Sequence, residues 1–168
     1  MFYNLKKIAL IFLATTFITS CSMSPMYGEN SGSSFVMKNI YITEVSDRDH
    51  QIIRNELMKY LEDGTPNSSK TLELDFEVDI LRNELLIKSS GEAQRMQLDV
   101  RVNYGIFRIT EYRELIFDNT TRVVNTYTLS DSEYNNAQAE ISTYKLISKE
   151  IASNINRQIS LNYLQLVE

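Results

Sequence analysis

The chain has 168 residues, 43% of them hydrophobic and 23% charged, with a net charge of −5. That length allows one domain with a real core. The acidic balance argues against a nucleic-acid binder, which is usually basic with clustered Lys and Arg, and a single cysteine excludes an internal disulfide.

Residues 1–20 read as a secretory signal peptide. Lys6 and Lys7 make a short positive start, Ile8 to Ile18 is apolar apart from Thr15 and Thr16, and Thr19 and Ser20 are small. The run is too short for a membrane span, which needs about 20 apolar residues. Cys21 stands directly behind it. Ile18-Thr19-Ser20-Cys21 resembles the bacterial lipobox, an aliphatic residue and two small ones before a cysteine. In such lipoproteins the peptide is cut before the cysteine, which is acylated. The resemblance therefore implies an N-acyl diacylglycerol group on Cys21 and no other cofactor. The alternative is a signal anchor with an incidental cysteine. Ser22 follows, where enteric inner-membrane lipoproteins carry aspartate, so the resemblance points to the outer membrane. Lys6 and Lys7 leave with the signal, which makes the remaining chain two units more negative.

Residues 21–34 form an acylated tether. Pro25, Gly28, Gly32 and several serines give it little to bury, and such composition is flexible and extended. It separates the anchor from the domain that follows.

Residues 35–168 read as strand, helix, three strands, helix. Phe35 to Val45 is β-rich and alternates loosely through Val36, Ile40 and Ile42. Ser46 reads as an N-cap, with Asp47 and Asp49 in the first turn of a helix. Ile53, Leu57 and Leu61 follow at helical spacing, and Gly64 and Pro66 stop it. Leu72, Leu74, Phe76, Val78 and Ile80 then alternate with Glu73, Asp75, Glu77 and Asp79. Met96 to Ile106 repeats the pattern, so the two strands pair as a long antiparallel hairpin about the loop containing Gly91. Phe107 and Ile109 switch parity after Gly105, which predicts a bulge. A fourth strand spans Glu114 to Leu129. From Tyr134 to about Leu164 the period is helical, with Ala137, Ile141, Tyr144, Ser148, Ile151, Ile155 and Ile159 on one face. Asp131 or Ser132 caps it. These elements predict an α+β two-layer sandwich: a four-stranded, mainly antiparallel sheet with two helices on one face.

Several passages resemble the LPS-assembly lipoprotein family, LptE, in its alphaproteobacterial branch. "CSMSPMYG", Cys21 to Gly28, matches a phrase ending Pro-Leu-Tyr-Gly, with Met26 for the leucine. Leu98 to Glu140, including Tyr134, is similar to the family's pair of long strands and the start of its last helix. Ile147 to Leu164 is similar to that helix's end. The resemblance covers the whole domain in element order, but its motifs are mostly apolar periodicity. It implies a non-enzymatic role: a lipoprotein on the periplasmic face of the outer membrane that plugs and helps assemble the LptD β-barrel, one-to-one, and binds lipopolysaccharide during export.

Lipid A carries phosphates and acyl chains, so its site should place Lys or Arg beside apolar groups. The hairpin tip does this in sequence: Leu85, Leu86 and Ile87 run into Lys88, with Arg82 before them and Arg95 beyond. Some LptE relatives carry a basic residue at this tip, and Lys88 is the matching position. Arg101 and Arg122 join the candidates on a neighbouring polar face. Ordinary solvated charge is the competing reading for all five. The stripe Glu73, Asp75, Glu77 and Asp79 faces either water or a barrel wall. It does not converge on a metal ion.

No catalytic residue emerges. His50 is the only histidine, and no nucleophile elbow or Gly-rich phosphate loop is present. Asn67-Ser68-Ser69 and Asn119-Thr120-Thr121 match a glycosylation pattern that a bacterial lipoprotein has no reason to use. Two other classes fit the same features: an accessory lipoprotein of a lipid-transport ABC system, and a structural periplasmic lipoprotein without a ligand.

Overall fold

A computed structural model describes residues 32–61, 70–87 and 93–167. Cys21, Lys88, Gly64, Pro66, Asn67 and Gly91 lie outside the described residues. The elements in chain order are α1 (Gly32–Asn39), β1 (Ile40–Ile42), α2 (Arg48–Met58), β2 (Leu72–Ile87), β3 (Ala93–Ile109), β4 (Arg113–Thr128), α3 (Glu133–Leu161) and α4 (Tyr163–Val167). The sheet order is β1-β2-β3-β4, with β1 parallel to β2 and the other pairs antiparallel. This is the expected α+β fold with helices packed on the sheet.

The first strand is shorter than its composition suggests. Only Ile40–Ile42 is extended, pairing with Leu72–Leu74, and Phe35–Asn39 belongs to α1. Val36, Ile40 and Ile42 are all buried. Val36 and Ile40 are four residues apart, which suits one helical turn as well as alternation, so the pattern did not separate the two. The helix also opens at Gly32, inside the stretch read as tether.

α2 is capped by Asp47 rather than Ser46. Asp47 has extended backbone, and its carboxylate accepts from the Asp49 N–H at 2.8 Å and the His50 N–H at 3.4 Å. Ile53 and Leu57 make its buried face as the spacing requires. The helix ends at Met58, before the expected glycine and proline, and Leu61 is buried beyond it.

β2 and β3 keep one register from Leu72↔Arg108 to Glu84↔Met96. Leu74, Phe76, Leu98, Val100, Val102, Tyr104 and Ile106 therefore share the helix side. The bulge occurs at the expected level but in the other strand: Ile106 pairs with Phe117 and Phe107 with Leu115, so Ile116 of β4 is the extra residue. Because β3 itself runs straight, Phe107 and Ile109 fall on the open face.

β4 is an outer strand along its whole length. Two of its N–H groups are satisfied within the strand: Thr120 donates to Asn119 Oδ1 at 2.7 Å and Thr126 to Asn125 Oδ1 at 2.8 Å. Side chains that occupy edge donors discourage strand addition.

α3 is capped by Ser132, whose hydroxyl accepts from the Asn135 N–H at 3.4 Å. Tyr144, Ile147, Ser148, Ile151, Ala152, Ile155 and Ile159 are buried. Ala137, expected on this face, is exposed; in this part of α3 it is Ala139 that packs against the core. The buried stripe is wider than expected because α3 packs on both β4 and α2. Ser148 and Ser160 tolerate burial by donating to the carbonyls of Tyr144 at 2.8 Å and Asn156 at 2.9 Å. α3 stops at Leu161, and α4 begins after Asn162.

Candidate binding surfaces

The helices cover one face of the sheet, and the open face carries most of the charged candidates. Cross-strand register decides the neighbours. Glu73, Asp75, Glu77 and Asp79 of β2 lie beside Phe107, Gly105, Asn103 and Arg101 of β3. Leu115, Asp118, Thr120 and Arg122 of β4 complete these rows.

The acidic stripe is divided by what it touches. Glu73 accepts from Tyr41 Oη at 2.7 Å, Thr43 Oγ1 at 3.0 Å and Arg113 Nη2 at 2.8 Å. Arg113 also bonds Asp75 at 2.7 Å and lies 3.6 Å over the Phe107 ring. Burial opposes the Glu73 charge, but these hydrogen bonds outweigh it and hold the carboxyl below its usual range. Burial and the Glu73 carboxylate together push Tyr41 up to about 12. Glu77 and Asp79 are exposed.

Acid should weaken this network. Glu73 and the Arg122-paired Asp99 are both held low in the folded chain. A carboxyl with a depressed folded pKa stabilises above its unfolded pKa, and that contribution is lost as pH falls through the folded value. The melting temperature should therefore begin to fall below about pH 4.5, the ordinary value for Glu, and continue falling further into acid. Melting curves from pH 7 downwards check this. Glu73→Gln should flatten the acid limb, and an equally steep limb would place its source elsewhere.

Four of the five basic candidates lie among the described residues, and these four do not form one patch. Arg82 is on the helix side, where its Nε bonds Glu140 Oε1 at 2.8 Å; Tyr127 Oη donates to the other oxygen at 3.1 Å. Arg101 and Arg122 are direct cross-strand neighbours on the open face. Arg122 is held by Asp99 through contacts of 2.7 and 2.5 Å. Arg101 is exposed and lines a concavity of about 280 Å³ with Asp79, Leu81 and Asp99. Arg95 pairs in register with Thr128, toward the hairpin tip. Arg101 and Arg95 thus present exposed guanidinium groups on the open-face register, whereas Arg82 and Arg122 have carboxylate partners.

His50 ties α2 to the sheet. Its Nδ1 lies 3.2 Å from Asp47 Oδ1, its Nε2 accepts from the Val78 N–H at 3.3 Å, and its ring stacks on Phe76 with centroids 6.0 Å apart. An accepting Nε2 assigns the ring proton to Nδ1. Both ring nitrogens are engaged. Tyr144 makes a parallel link, donating to the Asp49 carbonyl at 2.9 Å. Among the described residues no group of three or more His, Cys, Asp or Glu is placed to hold a metal ion.

The feature that sequence reading missed is a concavity of about 480 Å³ on the open face, lined by Gly105, Phe107 and Leu115 together with Asp75, Glu77 and Asp118. The parity switch at Phe107 was its only signal. Its depth depends on the β4 bulge, which the sequence did not assign to that strand.

The two-layer arrangement with a long β2–β3 hairpin has solved counterparts. A candidate lipoprotein of Caulobacter crescentus superposes with a TM-score of 0.65 at 17% identity, covering 79% of this chain and 96% of its own. The chain shares the fold of bacterial lipoproteins. A minor lipoprotein of Acinetobacter baumannii gives 0.55 at 20% identity over 73% of this chain and 89% of its own. Rare lipoprotein B of Shewanella oneidensis gives 0.55 at 12% identity over 77% and 98%. No family model matches the chain, and no curated protein matches it. At these identities the likeness concerns the fold alone.

Proposed function

We propose that this protein is an LptE-type lipoprotein, anchored by acyl chains on Cys21 at the periplasmic face of the outer membrane. It plugs and helps assemble an LptD-type β-barrel, one-to-one, and binds lipopolysaccharide on its way to the surface. It works as a binding module, without catalysis and without a further cofactor. The observation that carries this reading is the fold: nearly the whole length of several bacterial lipoproteins, rare lipoprotein B among them, superposes on this domain. The lipobox-like Cys21 and the tether behind it agree with that company. The engaged state of both His50 nitrogens supports a structural role for the single histidine.

Co-purification from mildly solubilised envelopes tests the partner. This reading requires a heat-modifiable β-barrel. An ABC subunit in its place would favour the lipid-transport accessory, and neither would favour a structural lipoprotein. Lys88→Asp tests the ligand. A charge-assisted phosphate contact contributes roughly 1.5–3 kcal/mol, so reversing the charge should weaken lipopolysaccharide binding by about tenfold or more. Barrel association should survive, because such an interface buries far more surface than one loop. Equal loss of both would make Lys88 part of the plug interface, and loss of neither would make it an ordinary solvated charge.

A further inference from the structure

The concavity at Gly105 has a built shape. A Cβ placed on Gly105 would lie 3.0 Å from both Leu115 Cδ1 and Phe107 Cε2. These two side chains therefore lean over the glycine backbone and give the groove an apolar floor. Leu115 is 52% exposed, so this floor is open to an incoming group.

The rim is acidic. Asp75 and Asp118 are the cross-strand neighbours of Gly105, one on each side, and Glu77 lies one row of the open face further along. Strands about 4.8 Å apart put the backbones of Asp75 and Asp118 roughly 10 Å from each other, and across the glycine between them lean the side chains of Phe107 and Leu115. Arg113 already pairs with Asp75. Among the described residues Glu77 and Asp118 are exposed and in no ion pair. The groove thus combines an apolar floor, two unpaired carboxylates and no unpaired cation.

Charge decides what fits. An anionic lipid headgroup would be repelled here. A second copy would bring the same carboxylates face to face, on a chain whose net charge is already −5. We propose that this groove docks an extended, basic segment of a partner protein. A Lys or Arg of that segment lies between Glu77 and Asp118, and an apolar residue two positions along rests on Leu115 and on the part of Phe107 that Arg113 leaves uncovered. Residues i and i+2 of an extended segment share one face, so a basic and an apolar residue two positions apart both reach the groove. The inference stands apart from the barrel reading: any envelope partner with such a segment qualifies. It assigns the open face at Gly105 to protein contact and leaves lipid phosphate to other surfaces.

The test uses the full chain in micelles of an uncharged detergent. The probe is a fluorescent Leu-Arg peptide, acetyl-Leu-Ser-Arg-Ser-Leu-Ser-Arg-amide, in which Leu and Arg share one face when extended, followed by anisotropy, with the Ser-Arg peptide that carries serine for each leucine alongside. Peptide partition into micelles is common to all variants, so differences between variants report the groove. The double variant Glu77→Lys and Asp118→Lys should lower affinity by about tenfold or more, and added salt should weaken native binding. Leu115→Ser should weaken the Leu-Arg peptide but not the Ser-Arg peptide. Arg101→Glu, in the other concavity, should leave binding unreduced. Both charge positions are exposed, and unchanged melting curves will show that the variants are folded. Three results would overturn the proposal: affinity unaffected by the double variant, equal binding of the two peptides, or self-association of the native chain that the double variant abolishes.

Discussion

Ile151→Asp will unfold the domain under conditions in which the native chain is folded. Ile151 is fully buried in α3, with Ile147 and Ile155 one turn away on either side, both also fully buried. α3 packs on α2 and β4, so this stripe joins the helices to the sheet. Truncating a buried isoleucine costs about 2–5 kcal/mol. Placing an unpaired carboxylate there adds a desolvation cost, part of which protonation relieves. The sum, about 4–6 kcal/mol, is comparable to the whole stability of a typical domain. Urea and thermal unfolding should show a collapsed or absent transition. Leu146→Asp is the matched control: Leu146 is 61% exposed on the same helix, and its change should stay within about 0.5 kcal/mol. Equal losses at both positions would mean that the faces of α3 are assigned wrongly.

Cys21→Ala will abolish incorporation of radioactive palmitate and release the protein from the membrane or leave it as an uncut precursor. Alanine has no thiol to accept the diacylglycerol, and lipobox processing requires the modified cysteine. Each buried methylene contributes about 0.8 kcal/mol to membrane binding, so one acyl chain holds marginally and several hold stably. Losing them all should move the protein from a stable membrane fraction to one controlled by its partners. Label retained in the variant would sink the lipobox reading and favour the signal anchor. A released but folded variant would also allow the proposed barrel association to be tested apart from the anchor.

The periodic elements were legible because each buries one continuous side and leaves the other to solvent. In β2 and β3 the side-chain period of two matches a sheet with helices on one side only, so Leu72 to Ile80 and Leu98 to Ile106 sorted themselves. α3 announced itself by its length, and its core residues Tyr144, Ile151, Ile155 and Ile159 followed the helical period. Short-range capping was less certain: Asp47 and Ser46 are both good caps, and only the backbone of Asp47 places its carboxylate against the following N–H groups.

By itself the sequence determined the fold class, the alternating strands, the main helical faces and the chemistry available at Cys21. Each of these depends on residues close along the chain or on a repeated local period. Tertiary structure alone decided three other things. It divided Phe35–Ile42 between α1 and β1, because Val36 reaches the core from a helix. It separated the arginines, putting Arg82 against Glu140 on the helix side and Arg101 beside Arg122 on the open one. It also placed the bulge at Ile116 of β4, so that Leu115 leans toward Gly105 and the groove has a floor. Those outcomes depend on register between strands distant in sequence, and a one-residue change of register turns a side chain to the opposite face.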